Sequence, residues 1–233
     1  MHRVLLKISG ERLAGDGSSV HDAAIIGMLA EGVKRVHDTG IQVCLVVGGG
    51  NIYRGSSGIP NIERATSDYM GMLATVINAL ALQGAISNLG IVSRVQSAIP
   101  MRSICEPYTR QKAISHMEKN RVVIFAAGTG NPFFTTDTAA VLRAVEMNCD
   151  VMLKGTLVDG VYSDDPKKNS NAERISRLSY TDVLSRKLRV LDSSAVSVAR
   201  ENSMPIIIFA LDSEEAFYEV VNGRRNYSII EGE

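Results

Sequence analysis

The sequence predicts a doubly wound α/β sandwich, and three observations carry that reading. Short apolar runs of strand length alternate with longer segments of helical period along the chain. Several of the runs are rich in β-branched residues and apolar throughout, as parallel strands covered on both faces must be. Glycine-bearing turns follow two of them directly, at Gly48-Gly49-Gly50 and at Gly128-Thr129-Gly130. Right-handed crossovers place such turns along one edge of the sheet, where ligands bind in folds of this kind.

In chain order, residues 4–8 form the first expected strand, apolar except for Lys7. Residues 23–38 follow as a helix, and 42–47 as a strand that runs straight into the triple glycine. Residues 65–87 form a long helix that is apolar or small nearly all round from 69 to 82, with Gly71, Thr75 and Asn78 as exceptions. A helix on one side of a sheet keeps a polar stripe. Either this one is deeply buried, or a second subunit covers its outer face. The second reading is preferred, because a small domain has little depth. Strands at 91–95, 121–126, 150–154 and 205–209 alternate with helices at 110–119, 136–147, 180–187, 193–202 and 214–221. Between them, residues 155–177 read as a hairpin turning at Asp159-Gly160, then a polar loop.

The chain has 233 residues, with 25 Lys plus Arg against 25 Asp plus Glu and 45% hydrophobic residues. That apolar content excludes disorder as the main state. Zero net charge argues against a nucleic-acid coater, which needs a basic excess. No apolar run is expected to span a membrane, and Lys7 interrupts the only candidate for a secretory signal. Cys44, Cys105 and Cys149 lie far apart in sequence and make no metal-ligand spacing with the histidines. They read as reduced thiols of a cytoplasmic protein.

Four segments carry chemistry. Lys7-Ile8-Ser9-Gly10 ends the first strand in a turn whose amides can face an anion, although alone it reads as an edge charge. Gly48-Gly49-Gly50-Asn51 suits a phosphate against bare amides, with Arg54 four residues on as a guanidinium fork. Neither GxGxxG nor GxxxxGK[ST] occurs, so the dinucleotide and Walker loops are unsupported. The richest segment is Gly128-Thr129-Gly130-Asn131-Pro132-Phe133-Phe134-Thr135-Thr136-Asp137. A helix cap with a packed aromatic pair explains part of it, and a planar base plus a phosphate would use all of it. Lys154-Gly155-Thr156 through Asp165-Pro166 reads first as a hairpin, with Tyr162 and Asp165 able to flank a nucleoside. Asp68 opens the apolar helix, where a carboxylate can grip a sugar's hydroxyl pair. Asp150 and Asp192 read as caps or paired charges, and none of the histidines as a base.

With these segments in place, the chain resembles the amino acid kinase family over residues 3–228, and within it the bacterial branch that phosphorylates UMP. The 128–137 segment is the most specific element, supported by Asp68-Tyr69-Met70-Gly71-Met72-Leu73-Ala74-Thr75 and Val158-Asp159-Gly160-Val161-Tyr162. The resemblance implies one domain over 1–233, built as a three-layer α/β/α sandwich with a mostly parallel central sheet. Its first half, to about residue 154, would bind mainly UMP, and residues 155–233 mainly ATP. It implies γ-phosphoryl transfer from ATP to UMP with Mg²⁺, in pyrimidine nucleotide synthesis. Lys7, Ile8, Ser9 and Gly10 resemble the ATP phosphate loop, Gly50 and Arg54 further ATP contacts, and Thr156, Tyr162 and Asp165 the adenosine end. Gly49, Asp68, Thr129, Gly130, Asn131, Pro132, Phe133, Phe134, Thr135 and Thr136 resemble the UMP site. Asp137 resembles the acid that orients the catalytic lysine, so that Lys7, Arg54 and Asp137 form the catalytic set, with no resident metal site. Homohexamers activated by GTP and inhibited by UTP are implied as well. Gly155, where alanine is usual, Arg12 and the loop 56–61 depart from the pattern. Another kinase of the family, or a nucleotide sensor that has lost turnover, are the competing readings. An acetylglutamate or aspartate kinase is not expected to carry Asn131-Pro132-Phe133-Phe134.

Overall fold

The computed structural model describes residues 1–53, 61–164, 168–169, 171–186, 188 and 190–233. Its elements are β1 (Arg3–Ile8), α1 (Gly10–Leu13), α2 (Ala23–His37), β2 (Gln42–Val47), α3 (Arg64–Asn88), β3 (Ser93–Ser97), β4 (Glu106–Pro107), α4 (Arg110–Glu118), β5 (Val122–Ala126), α5 (Thr136–Glu146), β6 (Val151–Thr156), β7 (Val161–Tyr162), β8 (Arg174–Ile175), β9 (Arg177–Leu178), α6 (Tyr180–Ser185), α7 (Ser193–Glu201), β10 (Ile206–Ala210), α8 (Ala216–Val221) and β11 (Ser228–Ile230).

One sheet runs β4-β3-β5-β2-β1-β6-β10-β11-β9 and is parallel except where β11 returns along β10. Strand alternation divides the core in two. Val4, Leu6 and Ile8 of β1 face Val33 of α2, Met72 and Val76 of α3 and Phe217 of α8. Leu5, Cys44 and Met152 face the other way, onto Ala140, Val141 and Ala144 of α5 and Val196 of α7. This is the expected three-layer sandwich. β1 lies at its centre with β2 on one side and β6 on the other, so the chain reverses its winding there.

Side chains fix where the helices begin. Asp22 accepts from the amides of Ala24 and Ile25, Thr109 from Lys112, Thr135 from Asp137 and Thr138, and Asp192 from Ala195. Asp192 is thus the cap it was read as. Asp150 binds the amides of His2 and Arg3. Cys44 and Cys149, distant in sequence, come within 3.8 Å in the core with both thiols free.

Two expectations are corrected. The hairpin does not turn at Asp159-Gly160: β7 pairs with β8, so the polar run lies inside the connection. Gly160 is instead needed because Ser228 Oγ and Arg174 press against it. α3, at 25 residues, is long and apolar enough to cross a membrane by length and composition, which no stretch was expected to be. Of the two readings of this helix, complete burial is the one that does not hold. Met72, Val76, Ala79, Leu82 and Ile86 enter the core, whereas Tyr69, Leu73 and Ile77, at successive i,i+4 positions, are 44%, 48% and 50% exposed.

Arg12 and Gly155, the two residues expected to be atypical, each meet Leu211. Arg12 Nε donates to the Leu211 carbonyl at 3.1 Å, tying α1 to the end of β10. A Cβ on Gly155 would stand 2.6 Å from Leu211 Cδ2 and 2.9 Å from Leu211 Cβ. Gly155→Ala is therefore expected to lower stability by about 1–3 kcal/mol. Urea unfolding checks this, and adding Leu211→Ala should cost less than the sum of the two single changes.

Candidate functional site

The loops after β1, β2 and β5 meet the first turns of α3 around a cavity of about 310 Å³ at the carboxyl edge of the sheet. Lys7, Ser9, Gly10, Gly49, Gly50, Asp68, Thr129, Asn131, Phe134, Thr135 and Thr136 line it. Glycine is required at three positions in two of these turns for close packing. A Cβ on Gly10 would stand 2.6 Å from the Gly50 amide nitrogen, and one on Gly49 would stand 2.7 Å from the Gly71 carbonyl of α3. On Gly48 it would stand 2.9 Å from the Gly10 amide nitrogen. This wall of the cavity is thus made of main chain pressed against main chain.

Behind Lys7 lies a buried charge triplet. Lys7 and Lys154 are register partners on β1 and β6. Asp137, in the first turn of α5, comes between their ammonium groups: Lys7 Nζ is 2.7 Å from Oδ1, and Lys154 Nζ donates to Oδ2 at 2.5 Å. Oδ1 takes the Lys7 charge without an aligned hydrogen bond. Burial opposes ionisation of Asp137, but the two lysines win and hold its carboxyl below the ordinary value of 3.8. Burial is also the main cause that lowers Lys154, with Asp137 opposing it and Lys7 adding to it. Lys154 donates to the Val190 carbonyl as well. Lys7, which alone read as a solvated edge charge, is 7% exposed.

At the opposite wall, Asp68 accepts from Arg64 Nε at 3.0 Å and from the Phe133 amide at 2.9 Å. The loop after β5 bends sharply: Ala127 has φ 61°, Gly128 57°, Gly130 82° and Phe133 72°. The left-handed region is costly for Ala127 and Phe133, and such strain gathers where a loop must hold a set shape. Phe133 and Phe134 are not the packed pair that one reading expected. Phe134 lines the cavity, while Phe133 is 69% exposed and contributes its amide.

Other expected site residues lie elsewhere. Ile8 is wholly in the core, and its carbonyl accepts from the Gly48 amide. Gly130 and Pro132 belong to the strained loop but do not line the cavity. Thr156 Oγ1 donates to the Val158 carbonyl, and Tyr162 donates its hydroxyl to Asp159 at 2.6 Å, which raises the Tyr162 pKa. Arg54 and Asp165 lie outside the described residues. Lys154, Arg64, Thr75 and Asn78 escaped the reading of the sequence as functional groups. The signal for Lys154 was a lysine closing an apolar strand, the same pattern that marked Lys7.

The amino acid kinase family profile matches residues 2–210. The chain is 84% identical over its full length to all of the uridylate kinase of Neorickettsia sennetsu. It superposes on the crystal structure of UMP kinase from Ureaplasma parvum with a TM-score of 0.94 at 36% identity, covering 99% of both chains. UMP kinase from Bacillus anthracis gives 0.94 at 36% identity, with 98% of this chain and 95% of that one covered.

Removing the central carboxylate leaves two buried ammonium groups facing each other. Asp137→Asn is expected to cost about 3–5 kcal/mol of stability at pH 7. Because the folded carboxyl ionises below 3.8, its contribution is complete above that pH and disappears as pH falls through the folded value. Denaturant melts of both proteins from pH 7 to pH 3 check this, the variant showing the shallower acid loss.

Proposed function

The chain belongs to the amino acid kinase family, and on that premise we propose that the cavity transfers the γ-phosphoryl group of ATP to UMP, giving UDP and ADP. One observation carries the reading: a lysine pinned by a buried acid opens into a cavity walled by the main chain of glycine turns. UMP reaches this site already equipped as a nucleophile, since a phosphate monoester has a second pKa of about 6. A general base is unnecessary. The obstacle is repulsion between two polyanions, which the Lys7 charge and the amides of Ser9, Gly10 and the triple glycine offset while aligning the oxygens.

Lys7 acts on the moving phosphoryl group, and Asp137 holds it there. Lys154 adds a second positive charge behind the same acid. Asp68 receives the ribose hydroxyls of UMP, the loop 129–136 its base and phosphate, and Arg54 the transferring phosphate. Thr156, Tyr162 and Asp165 take the adenosine end. Residues up to about 154 bind mainly UMP and those after them mainly ATP, with the phosphates of both meeting in the cavity of the first half. Mg²⁺ would arrive as an ion carried by the triphosphate. When bound, it neutralises phosphate charge.

The wide sequence spacing of Cys44, Cys105 and Cys149 is in keeping with a reducing, cytoplasmic setting. The exposed stripe Tyr69, Leu73 and Ile77 supports self-association, and the family resemblance supports a homohexamer activated by GTP and inhibited by UTP.

ADP release in a coupled assay is expected with UMP, and not with CMP, dTMP, acetylglutamate or aspartate. In the same assay Asp68→Ala should raise the KM for UMP about tenfold or more, and that for ATP far less. An unchanged UMP requirement would remove Asp68 from the site. Leu73→Asp with Ile77→Asp is expected to reduce the mass measured by light scattering to that of a smaller assembly.

A further inference from the structure

Of the exceptions that interrupt the apolar run of α3, Gly71 and Thr75 line the cavity and Asn78 bonds the triple glycine. Gly71 presents its carbonyl to Gly49. Thr75 Oγ1 accepts from the Ala127 amide at 2.7 Å and donates to the Met72 carbonyl at 2.7 Å. Asn78 donates through Nδ2 to the Gly48 carbonyl at 2.7 Å and to Asn51 Oδ1 at 2.7 Å. Its Oδ1 accepts from Asn51 Nδ2 at 3.1 Å and meets His21 Nε2 at 2.7 Å. Both side chains are buried.

We propose that Thr75 and Asn78 are positioning residues that set two different substrate loops from one helix. Thr75 fixes the loop 127–136, and Asn78 fixes the triple glycine. The inference rests on the phosphotransfer reading above and goes beyond it, since neither residue carries chemistry.

The argument is one of satisfaction and strain. Ala127 enters its loop in the left-handed region, where alanine has no preference to stay. Its buried amide has the Thr75 hydroxyl as acceptor, so the hydroxyl specifies where the loop leaves β5. The Asn78 carboxamide has two donors and two acceptor positions, and all four are engaged. A fully satisfied buried amide is rigid, and this one is bonded to the first carbonyl of the triple glycine. Thr75 and Asn78 are three residues apart, hence neighbours on one helix face. One rigid helix therefore sets the spacing between the loop assigned to UMP and the turn at which the two phosphates meet.

A merely structural role predicts a different signature. If both groups only satisfied buried main chain, their loss would lower stability and activity together, without regard to substrate. The test is steady-state ADP release with UMP and ATP each titrated, alongside thermal unfolding, for Thr75→Val, Thr75→Ser, Asn78→Asp and Asn78→Ser. Thr75→Val is expected to raise the KM for UMP about tenfold, with the KM for ATP changed by less than about twofold, and Thr75→Ser to restore it. Asn78→Asp, which cannot donate to Gly48, is expected to lower kcat about tenfold, with Asn78→Ser intermediate. Equal effects on both substrates, no rescue by serine at position 75, or no folded protein from either variant at a position would overturn the assignment. Wild-type protein without UMP-dependent ADP release would overturn the phosphotransfer reading itself, a result distinct from active enzyme whose variants fail to separate.

Discussion

The site depends on a charge imbalance buried between two strands. Lys7 and Lys154 stand side by side in register, and a single carboxylate, Asp137, lies between them. Two positive charges against one negative leave the triplet itself with a surplus of one, which the Asp192 carboxylate offsets in part on the Lys154 side. A buried surplus is costly, so the triplet is tolerable only where something offsets it. Lys7 reaches the cavity, which opens to solvent and to anions. In the proposed reaction the phosphates complete the triplet, and the site gives up least when charge shifts from ATP toward UMP. The acid stays ionised because both neighbours are cations. It can therefore hold both lysines in place.

The fold makes this arrangement natural. β1 and β6 meet where the winding of the sheet reverses, so two strands end together at the ligand edge. α5 begins directly over them, and its capping residue Thr135 fixes Asp137 in the first turn. Asp192 draws the start of α7 to the same place, bonding Thr135 and Thr138 while capping its own helix. The negative charges of Asp137 and Asp192 thus gather at two helix N-termini, where the helix dipoles favour them. The same residues that cap helices also assemble the floor of the site.

Much of this was legible in the sequence because the core follows simple periods. The strands 4–8, 42–47 and 121–126 and the helix 23–38 emerge within a residue or two of their expected bounds, since short, mostly apolar runs and a single apolar helix face leave little choice. The β7–β8 hairpin was misplaced because Asp159-Gly160 has the composition of a turn, while Gly160 is there to make room for Ser228 and Arg174. Lys154 escaped because its significance is a register relation with Lys7, and register between strands nearly 150 residues apart is not written locally. Thr75 and Asn78 were visible only as interruptions of an apolar pattern. Their meaning lies in which carbonyl and amide they reach.

The triple glycine shows why a composition argument can reach the right place by an incomplete route. Glycines there suggest room for a ligand, yet Gly48 and Gly49 are demanded by the chain itself, through Gly10 on one side and α3 on the other. None of the three needs a left-handed backbone, since positive φ values occur at Gly128 and Gly130 instead. The turn is therefore packed rather than loose. That difference matters for catalysis, because amides stabilise a transition state effectively only when they are oriented beforehand. A flexible glycine loop would have to be ordered by the ligand at the expense of binding free energy. A turn wedged between β1 and α3, with its first carbonyl held by Asn78, has been ordered by folding.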